Sequence, residues 1–133
     1  MKAGLFKSVS EARKTISSLE NKWYHIELDL DKGAISSITD KELNLQLVDS
    51  KAKYSFGEFI YELLNNRSQM ESYKLTNFTR EGLDSVWYDC YETGEVWNTL
   101  KFRGNTPAAQ RDQTYVFEIR LFNTTKRIDL FYA

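Results

Sequence analysis

Residues 21–62 decide the fold; they read NKWYHIELDLDKGAISSITDKELNLQLVDSKAKYSFGEFIYE. In the first part of this stretch apolar and polar residues alternate, which is the period of a β-strand with one face buried. The predicted buried face carries Tyr24, Ile26, Leu28 and Leu30. Asp31-Lys32-Gly33 then turns the chain, because glycine accepts the positive φ that a tight turn needs, and residues 34–39 return as the hairpin partner.

Two further strands are predicted before residue 65. Leu43, Leu45 and Leu47 alternate with polar residues after the turn at residues 40–42. Residues 56–64 are strongly apolar and contain Gly57, a combination that predicts a buried strand with a bulge or a close backbone approach. Another strand is expected over residues 73–78.

The second half of the chain continues as β-structure. Residues 86–92 and 95–102 predict a hairpin around Thr93-Gly94, since turn residues separate two aromatic-rich runs. Strict alternation would place Trp87 on one face with Leu100 and Phe102, and Tyr88 on the other face with Trp97. Both faces are apolar, so we expect this hairpin to be central and covered on each side.

The last two predicted strands follow the proline-containing loop at residues 104–113. Tyr115, Phe117, Ile119 and Leu121 alternate with Val116, Glu118 and Arg120, and Ile128, Leu130 and Tyr132 follow a turn as the next strand. The fold class predicted from the whole pattern is all-β, an antiparallel β-sandwich with one N-terminal α-helix.

The N-terminal segment has a different period. Leu5, Val9, Ala12, Ile16 and Leu19 recur at spacings of four and three, and residues 8–11 have the form of a capping box. We therefore predict an amphipathic helix over residues 8–20. The predicted organisation is an N-terminal helix in residues 1–20 and a β-sandwich domain in residues 21–133.

Composition excludes several classes of function. A chain of 133 residues is long enough for one core and too short for two ordinary domains. A net charge of −1, with no basic run longer than Lys126-Arg127, argues against a nucleic-acid partner. No apolar run reaches the length of a membrane span, so no membrane partner is expected, and residues 1–7 do not form a signal peptide as they stand.

Seven segments carry a resemblance to a known family. Their sequences are ENKWY (20–24), DKGAISSI (31–38), DKEL (40–43), LVD (47–49), YSFGEFIYE (54–62), EIRLF (118–122) and KRID (126–129). They resemble the β-domain that follows the catalytic domain in glycoside hydrolase family 38, the α-mannosidases. The similarity covers about half of the chain and consists mainly of turn and core positions.

This resemblance implies a fragment of a larger, galactose-mutarotase-like supersandwich domain. Its role would be to brace and border a catalytic α/β domain that lies outside this chain. In that family the zinc ion and the carboxylate nucleophile belong to the catalytic domain, so no catalytic residue, metal ligand or cofactor is expected here. The parent protein would be a glycoside hydrolase, and the isolated chain would be inactive.

The residue types and their spacing also favour a non-catalytic chain. The chain has one histidine, His25, which shares its predicted strand face with Glu27 and Asp29; a solvated strand face is favoured there over a weak cation site. Cys90 lies among aromatic residues, as a small buried hydrophobe does, and a single cysteine cannot form an internal disulfide. No nucleophile or phosphate-binding motif is present.

Carbohydrate contact is the competing functional idea. Trp23 and Trp97 are the candidate residues, because a flat indole can stack on a sugar ring, although most tryptophans of a sandwich fill its core. The alternatives to the glycoside hydrolase fragment are thus a free-standing carbohydrate-binding module and a structural interaction domain. The chain stops within an apolar strand at residues 131–133, which favours a larger β-domain and predicts self-association through the open strand edge.

Overall fold

The computed structural model describes residues 16–107 and 114–133. Two four-stranded antiparallel sheets and a two-stranded ribbon account for the regular structure of these residues. The first sheet has the order β1-β2-β3-β4, with strands Ser18–Glu20, Tyr24–Asp29, Ala34–Asp40 and Leu45–Gln46. The second has the order β10-β9-β8-β7, with strands Ile128–Tyr132, Tyr115–Phe122, Trp97–Asn105 and Ser85–Glu92. The ribbon pairs β5 (Tyr61–Leu64) with β6 (Phe78–Glu81), and the short helix α1 (Ser68–Ser72) connects its strands.

The two four-stranded sheets share one hydrophobic core. Ile26, Leu28 and Ile35 enter it from the first sheet, and Phe102 and Phe117 enter it from the second. Alternate residues of β9 are buried from Tyr115 to Leu121, as the period of two predicts. The antiparallel β-sandwich predicted from the sequence is therefore confirmed.

The β2–β3 hairpin follows the prediction closely. Gly33 has a φ of +62°, and Asp29 pairs with Ala34 across the turn. Asp29 Oδ1 accepts backbone hydrogen bonds from Asp31 and Lys32, each at 3.2 Å, and so holds the turn. Carboxylate-to-backbone bonds of this kind favour turns over continued strand.

The predicted N-terminal helix is wrong at its C-terminal end, and residues 8–15 lie outside the described residues. Ser18–Glu20 forms β1, in which Leu19 is buried and pairs with Ile26. Local spacing favoured a helix, but the strand buries the same leucine and also adds backbone hydrogen bonds to the edge of the first sheet. Tertiary pairing outweighs local propensity here.

Three predicted strands are shorter or shifted. Beside β3 only Leu45–Gln46 is paired, and Leu43, Leu45 and Leu47 are all exposed. The buried strand expected over residues 56–64 is reduced to β5, and the strand expected over residues 73–78 is replaced by β6. The close approach at Gly57 is present: its φ is +77°, and a Cβ there would lie 3.2 Å from Phe117 Cζ.

The β7–β8 hairpin is present, but its predicted faces are wrong. Tyr88 pairs with Phe102 and Cys90 pairs with Lys101, so Asp89 is an extra residue that forms a β-bulge. The bulge breaks the alternation, and Tyr88 faces the core with Phe102 while Trp87 lies opposite Arg103 on the outer face. The hairpin is also not central, because β7 is an edge strand.

Candidate functional site

The outer face of the second sheet carries aromatic and charged side chains together. Trp97 pairs with Phe122, and their rings lie 5.4 Å apart between centroids. Two residues further along β8 on the same face, Thr99 pairs with Arg120. The Arg120 guanidinium lies 5.4 Å from the centroid of the Trp97 ring and 4.4 Å from that of the Phe131 ring. A cation between two aromatic rings orders all three side chains.

Most charges on this face are paired. Glu118 lies 2.5 Å from Arg120 Nε and 3.5 Å from Lys101 Nζ. Asp89 lies 3.0 Å from Arg103 Nε. The ion pair of Arg127 with Asp129 closes the β10 side of the face at 2.6 Å.

A groove opens where the β7–β8 turn meets this face. Its volume is about 430 Å³, within the range of small-ligand sites. The residues that line it are Glu92, Thr93, Gly94, Glu95, Val96, Trp97 and Thr99. The end of β7, one short turn and the first residues of β8 therefore provide the whole lining.

The turn that forms the groove is fixed by β8 and by the β9–β10 turn. Asn123 Nδ2 donates to the Gly94 carbonyl at 2.9 Å and to Asn98 Oδ1 at 3.2 Å. The Asn123 backbone N–H donates to the Val96 carbonyl at 2.7 Å. Gly94 has no space for a side chain, since a Cβ would lie 2.7 Å from the Trp97 carbonyl oxygen. Hydrogen bonds and close packing thus fix the conformation of the turn that forms the groove.

The groove combines an accessible indole with polar groups that have no protein partner. Trp97 is 38% exposed. Within the described residues, Glu92 and Glu95 form no ion pair and no side-chain hydrogen bond. The Thr99 hydroxyl forms no hydrogen bond with these residues either. This chemistry, an apolar ring face beside free acceptors and a hydroxyl, suits a ligand that is apolar on one side and hydroxylated at its edges.

The two tryptophans singled out in the sequence lie in different places. Trp97 lines the groove, whereas Trp23 precedes β2 in the first sheet, is half-buried and has Lys22 Nζ 4.1 Å from its ring centroid. The structure does not bring them together. Trp87, which sequence reasoning assigned to a covered face, is 39% exposed on the outer face, because the bulge at Asp89 was not visible in the sequence pattern.

His25 belongs to an exposed charged cluster. Its two ring nitrogens lie 3.6 Å from Glu20 Oε2 and 3.4 Å from Glu27 Oε1. The Lys41 ammonium also contacts Glu20, and this contact lowers the pKa of the Glu20 carboxyl. No group of three or more His, Cys, Asp or Glu residues in residues 16–107 and 114–133 is placed to hold a metal ion.

Cys90 is half-buried on the outer face, opposite Lys101. Burial raises the pKa of its thiol, with a contribution from the neighbouring Asp89 carboxylate. A thiol that is held protonated is a poor nucleophile.

A second cavity, of about 480 Å³, lies between residues 57–60 and the ends of β9 and β10. Tyr115 and Tyr132 line it, and burial raises the pKa of both phenols. Its one carboxylate, Glu58, is already used, because it accepts a hydrogen bond from the Ser55 backbone at 2.7 Å and lies 3.6 Å from Lys32 Nζ. Tyr115 Oη has no hydrogen-bond partner among the described residues, so this cavity offers one free hydroxyl but no free carboxylate side chain.

No helix among the described residues is both long and apolar enough to cross a membrane. Comparisons with known proteins return no matching family model, no matching curated protein and no matching solved structure. Function has to be argued from the geometry of the groove.

Proposed function

We propose that this chain is a non-catalytic β-sandwich domain that contacts carbohydrate through the groove at the β7–β8 turn. The observation that carries this proposal is the exposed Trp97 indole beside the unpaired carboxylates of Glu92 and Glu95. In a sandwich, a tryptophan without functional use is normally buried with its N–H paired. Trp97 instead remains more than one-third accessible, at the edge of a groove with polar walls.

The chemistry of a pyranose matches these groups. The C–H side of the ring is apolar and can pack on an indole, while the ring hydroxyls donate hydrogen bonds to carboxylates. Hydrogen bonds to charged acceptors are stronger than those between neutral groups. The preformed turn also lowers the ordering cost of binding.

The parent context proposed for this domain is an α-mannosidase-like glycoside hydrolase. In that context the sandwich would brace and border a catalytic α/β domain, and the groove would contact glycan near the rim of the active site. The support is the resemblance of residues 20–62 and 118–129 to the β-domains of glycoside hydrolase family 38. Zinc would be bound by the catalytic domain alone.

One observation also favours a bracing role. Leu43, Leu45 and Leu47 lie within five residues and are exposed by 67%, 51% and 49%. Exposed leucines concentrated on one segment are typical of a surface that another domain covers. Replacing all three by serine tests this role: the free energy of unfolding should stay within about 0.5 kcal/mol of the parent value. A larger loss would show that the leucines support this chain's own fold.

The carbohydrate proposal is tested with two matched tryptophan variants. Trp97 and Trp87 lie on the same sheet face with nearly equal exposure, 38% and 39%, but only Trp97 lines the groove. A panel of manno-, gluco- and amino-oligosaccharides is titrated into the isotope-labelled chain and followed by NMR. We expect shifts at the Trp97 indole N–H and at the backbone amides of residues 92–99; the backbone shifts should be lost in Trp97→Ala and kept in Trp87→Ala. Absence of any shift, or equal losses in both variants, would rule out this site.

A further inference from the structure

The groove contains the carboxylates of the outer face that form no ion pair with another described residue. Elsewhere on this face Asp89, Glu118 and Asp129 each lie within 3.0 Å of an arginine nitrogen. Glu92 and Glu95 have no such partner among the described residues. They lie at the two ends of the β7–β8 turn and line the same groove. A cation entering there would meet two carboxylates that no protein cation already neutralises.

Thr99 supplies a second, independent indication of a ligand. It is 6% exposed, yet its hydroxyl makes no hydrogen bond to any other described residue. Among the described residues, only Tyr115 Oη is a side-chain oxygen that is fully enclosed and has no hydrogen-bond partner. The Thr99 hydroxyl, which also has no partner, is therefore not fully enclosed and is accessible from the groove that Thr99 lines. Thr99 pairs with Glu92 on β7, which places its side chain next to that carboxylate. Because this hydroxyl has no protein partner and is reached only from the groove, it can donate to or accept from a molecule bound there.

The Trp97 ring adds an affinity for positive charge. The Arg120 guanidinium lies 5.4 Å from its centroid, which is within the range of a cation–π contact. Arg120 is itself held by Glu118 and lies against Phe131, so its charge is largely neutralised in place. Trp97 remains 38% exposed and lines the groove together with Glu92 and Glu95.

We propose that the groove selects a sugar with a protonated amino group over the same sugar with a neutral, acetylated nitrogen; this inference rests on the carbohydrate-binding function proposed above. The ammonium group has three donors and no acceptor, which matches Glu92 and Glu95. The sugar ring packs on Trp97, and a ring hydroxyl bonds to Thr99. Acetylation removes the charge and two of the three donors, while it leaves the ring face unchanged.

The experiment compares an oligomer of glucosamine with the matching oligomer of N-acetylglucosamine by titration calorimetry. The titrations are run at about pH 6, where the amine of the glucosamine oligomer carries its proton. We expect the glucosamine oligomer to bind about tenfold more tightly at low salt, a difference of about 1.4 kcal/mol. Raising the ionic strength to about 1 M should remove most of this advantage, because the Debye length falls to about 3 Å.

Variants separate the charge from the stacking surface. Glu95→Gln and Glu92→Gln should each reduce the affinity for the glucosamine oligomer more than that for the acetylated oligomer, so that the ratio of the two affinities falls several-fold. Trp97→Ala should weaken both. Glu71→Gln, an exposed glutamate in α1, serves as the matched control and should change neither. Thermal melts check that each variant is folded. If Glu92→Gln, a substitution within a strand, does not fold, Glu95→Gln in the exposed turn still tests the role of the charge.

The outcomes distinguish this inference from the function on which it rests. Equal or tighter binding of the acetylated oligomer, still dependent on Trp97, would overturn the cation preference and support the carbohydrate site. Failure of both oligomers to bind would overturn this inference, and the carbohydrate site would then be overturned only if the manno- and gluco-oligosaccharides of the panel also fail to bind. A lysine-rich peptide that binds as tightly as the glucosamine oligomer, with the same dependence on Glu95 and Trp97, would overturn the sugar assignment in favour of a protein ligand.

Discussion

Lys126 Nζ lies 2.8 Å from Asp40 Oδ2 and joins the two sheets of the sandwich at one end. Asp40 ends β3 in the first sheet, and Lys126 belongs to the turn between β9 and β10 in the second. The same carboxylate accepts backbone hydrogen bonds from Glu42 and Leu43 at 3.0 and 3.1 Å. The Lys126 contact lowers the pKa of the Asp40 carboxyl, and the two backbone bonds act in the same direction against the effect of burial.

Asp40→Asn should lower the melting temperature near neutral pH. Because the pKa of Asp40 is lower in the folded state, its contribution to stability is present above the unfolded pKa and is lost as the pH falls through the folded pKa. The variant should therefore approach the parent chain in stability only in acid. Thermal melts from about pH 7 down to pH 2 measure this difference.

Glu42→Gln is the matched control, because Glu42 contacts the same lysine at 2.6 Å but is largely exposed. Its effect should be the smaller of the two. If the parent and Asp40→Asn differ by the same amount at every pH, the ion pair does not set the acid dependence.

Phe117→Ala should cost about 3 to 5 kcal/mol of unfolding free energy, since it removes a fully buried ring and leaves a cavity. Trp97→Ala should cost about 1 kcal/mol, because Trp97 is partly exposed on the outer face. Denaturant melts of both variants give the comparison. Equal losses would place Trp97 in the core and remove it from the proposed site.

Gly57→Ala should destabilise the chain by about 1 to 3 kcal/mol. The φ of +77° disfavours any residue with a Cβ, and that atom would also lie 3.2 Å from both Phe117 Cζ and Tyr132 Oη. Gly82→Ala is the control, since a Cβ there meets its nearest atom, the Phe59 carbonyl oxygen, at 3.5 Å. Equal stability of the two variants under denaturant melting would contradict the strain at residue 57.

The chain should self-associate at high concentration through β10. This strand is at the edge of the second sheet, and Phe131 is partly exposed on it. Unpaired edges attract further strands, and charge on an edge suppresses such pairing. Phe131→Glu should therefore reduce association in sedimentation velocity runs across a concentration series.

Tyr73→Glu provides the comparison for the edge variant, because Tyr73 is exposed but lies outside every strand. It should associate as the parent does. A parent chain that is monomeric at every concentration would exclude edge pairing.

The isolated chain should not hydrolyse aryl α-mannosides, with or without added zinc. The sequence offers no nucleophile motif, and the proposed parent context would have the catalytic groups in another domain. Release of the chromogenic aryl group is the assay, with repurified protein as the check for contamination. Turnover that survives repurification and is lost on replacing one of this chain's carboxylates would refute the expectation.

Strands whose burial pattern is local could be predicted from the amino-acid sequence alone. The alternation in β2 and β9 predicts their buried faces, and the Asp31-Lys32-Gly33 turn predicts the first hairpin. Only the tertiary structure decided that residues 18–20 join a sheet, because the partner strand and not the local spacing supplies their hydrogen bonds. The bulge at Asp89 likewise depends on pairing with β8, and it decides which aromatic residues face outward.

The candidate site likewise has one feature that could be predicted from sequence and others that depend on the folded structure. Trp97 could be selected from the sequence as a flat aromatic residue near a turn. Its place in a groove could not, because Asn123, from a turn distant in sequence, fixes Gly94 and so shapes the lining. The exposure of Glu95 and the lack of a protein partner at Glu95 and Thr99 depend on what surrounds each side chain after folding, and no local pattern encodes them.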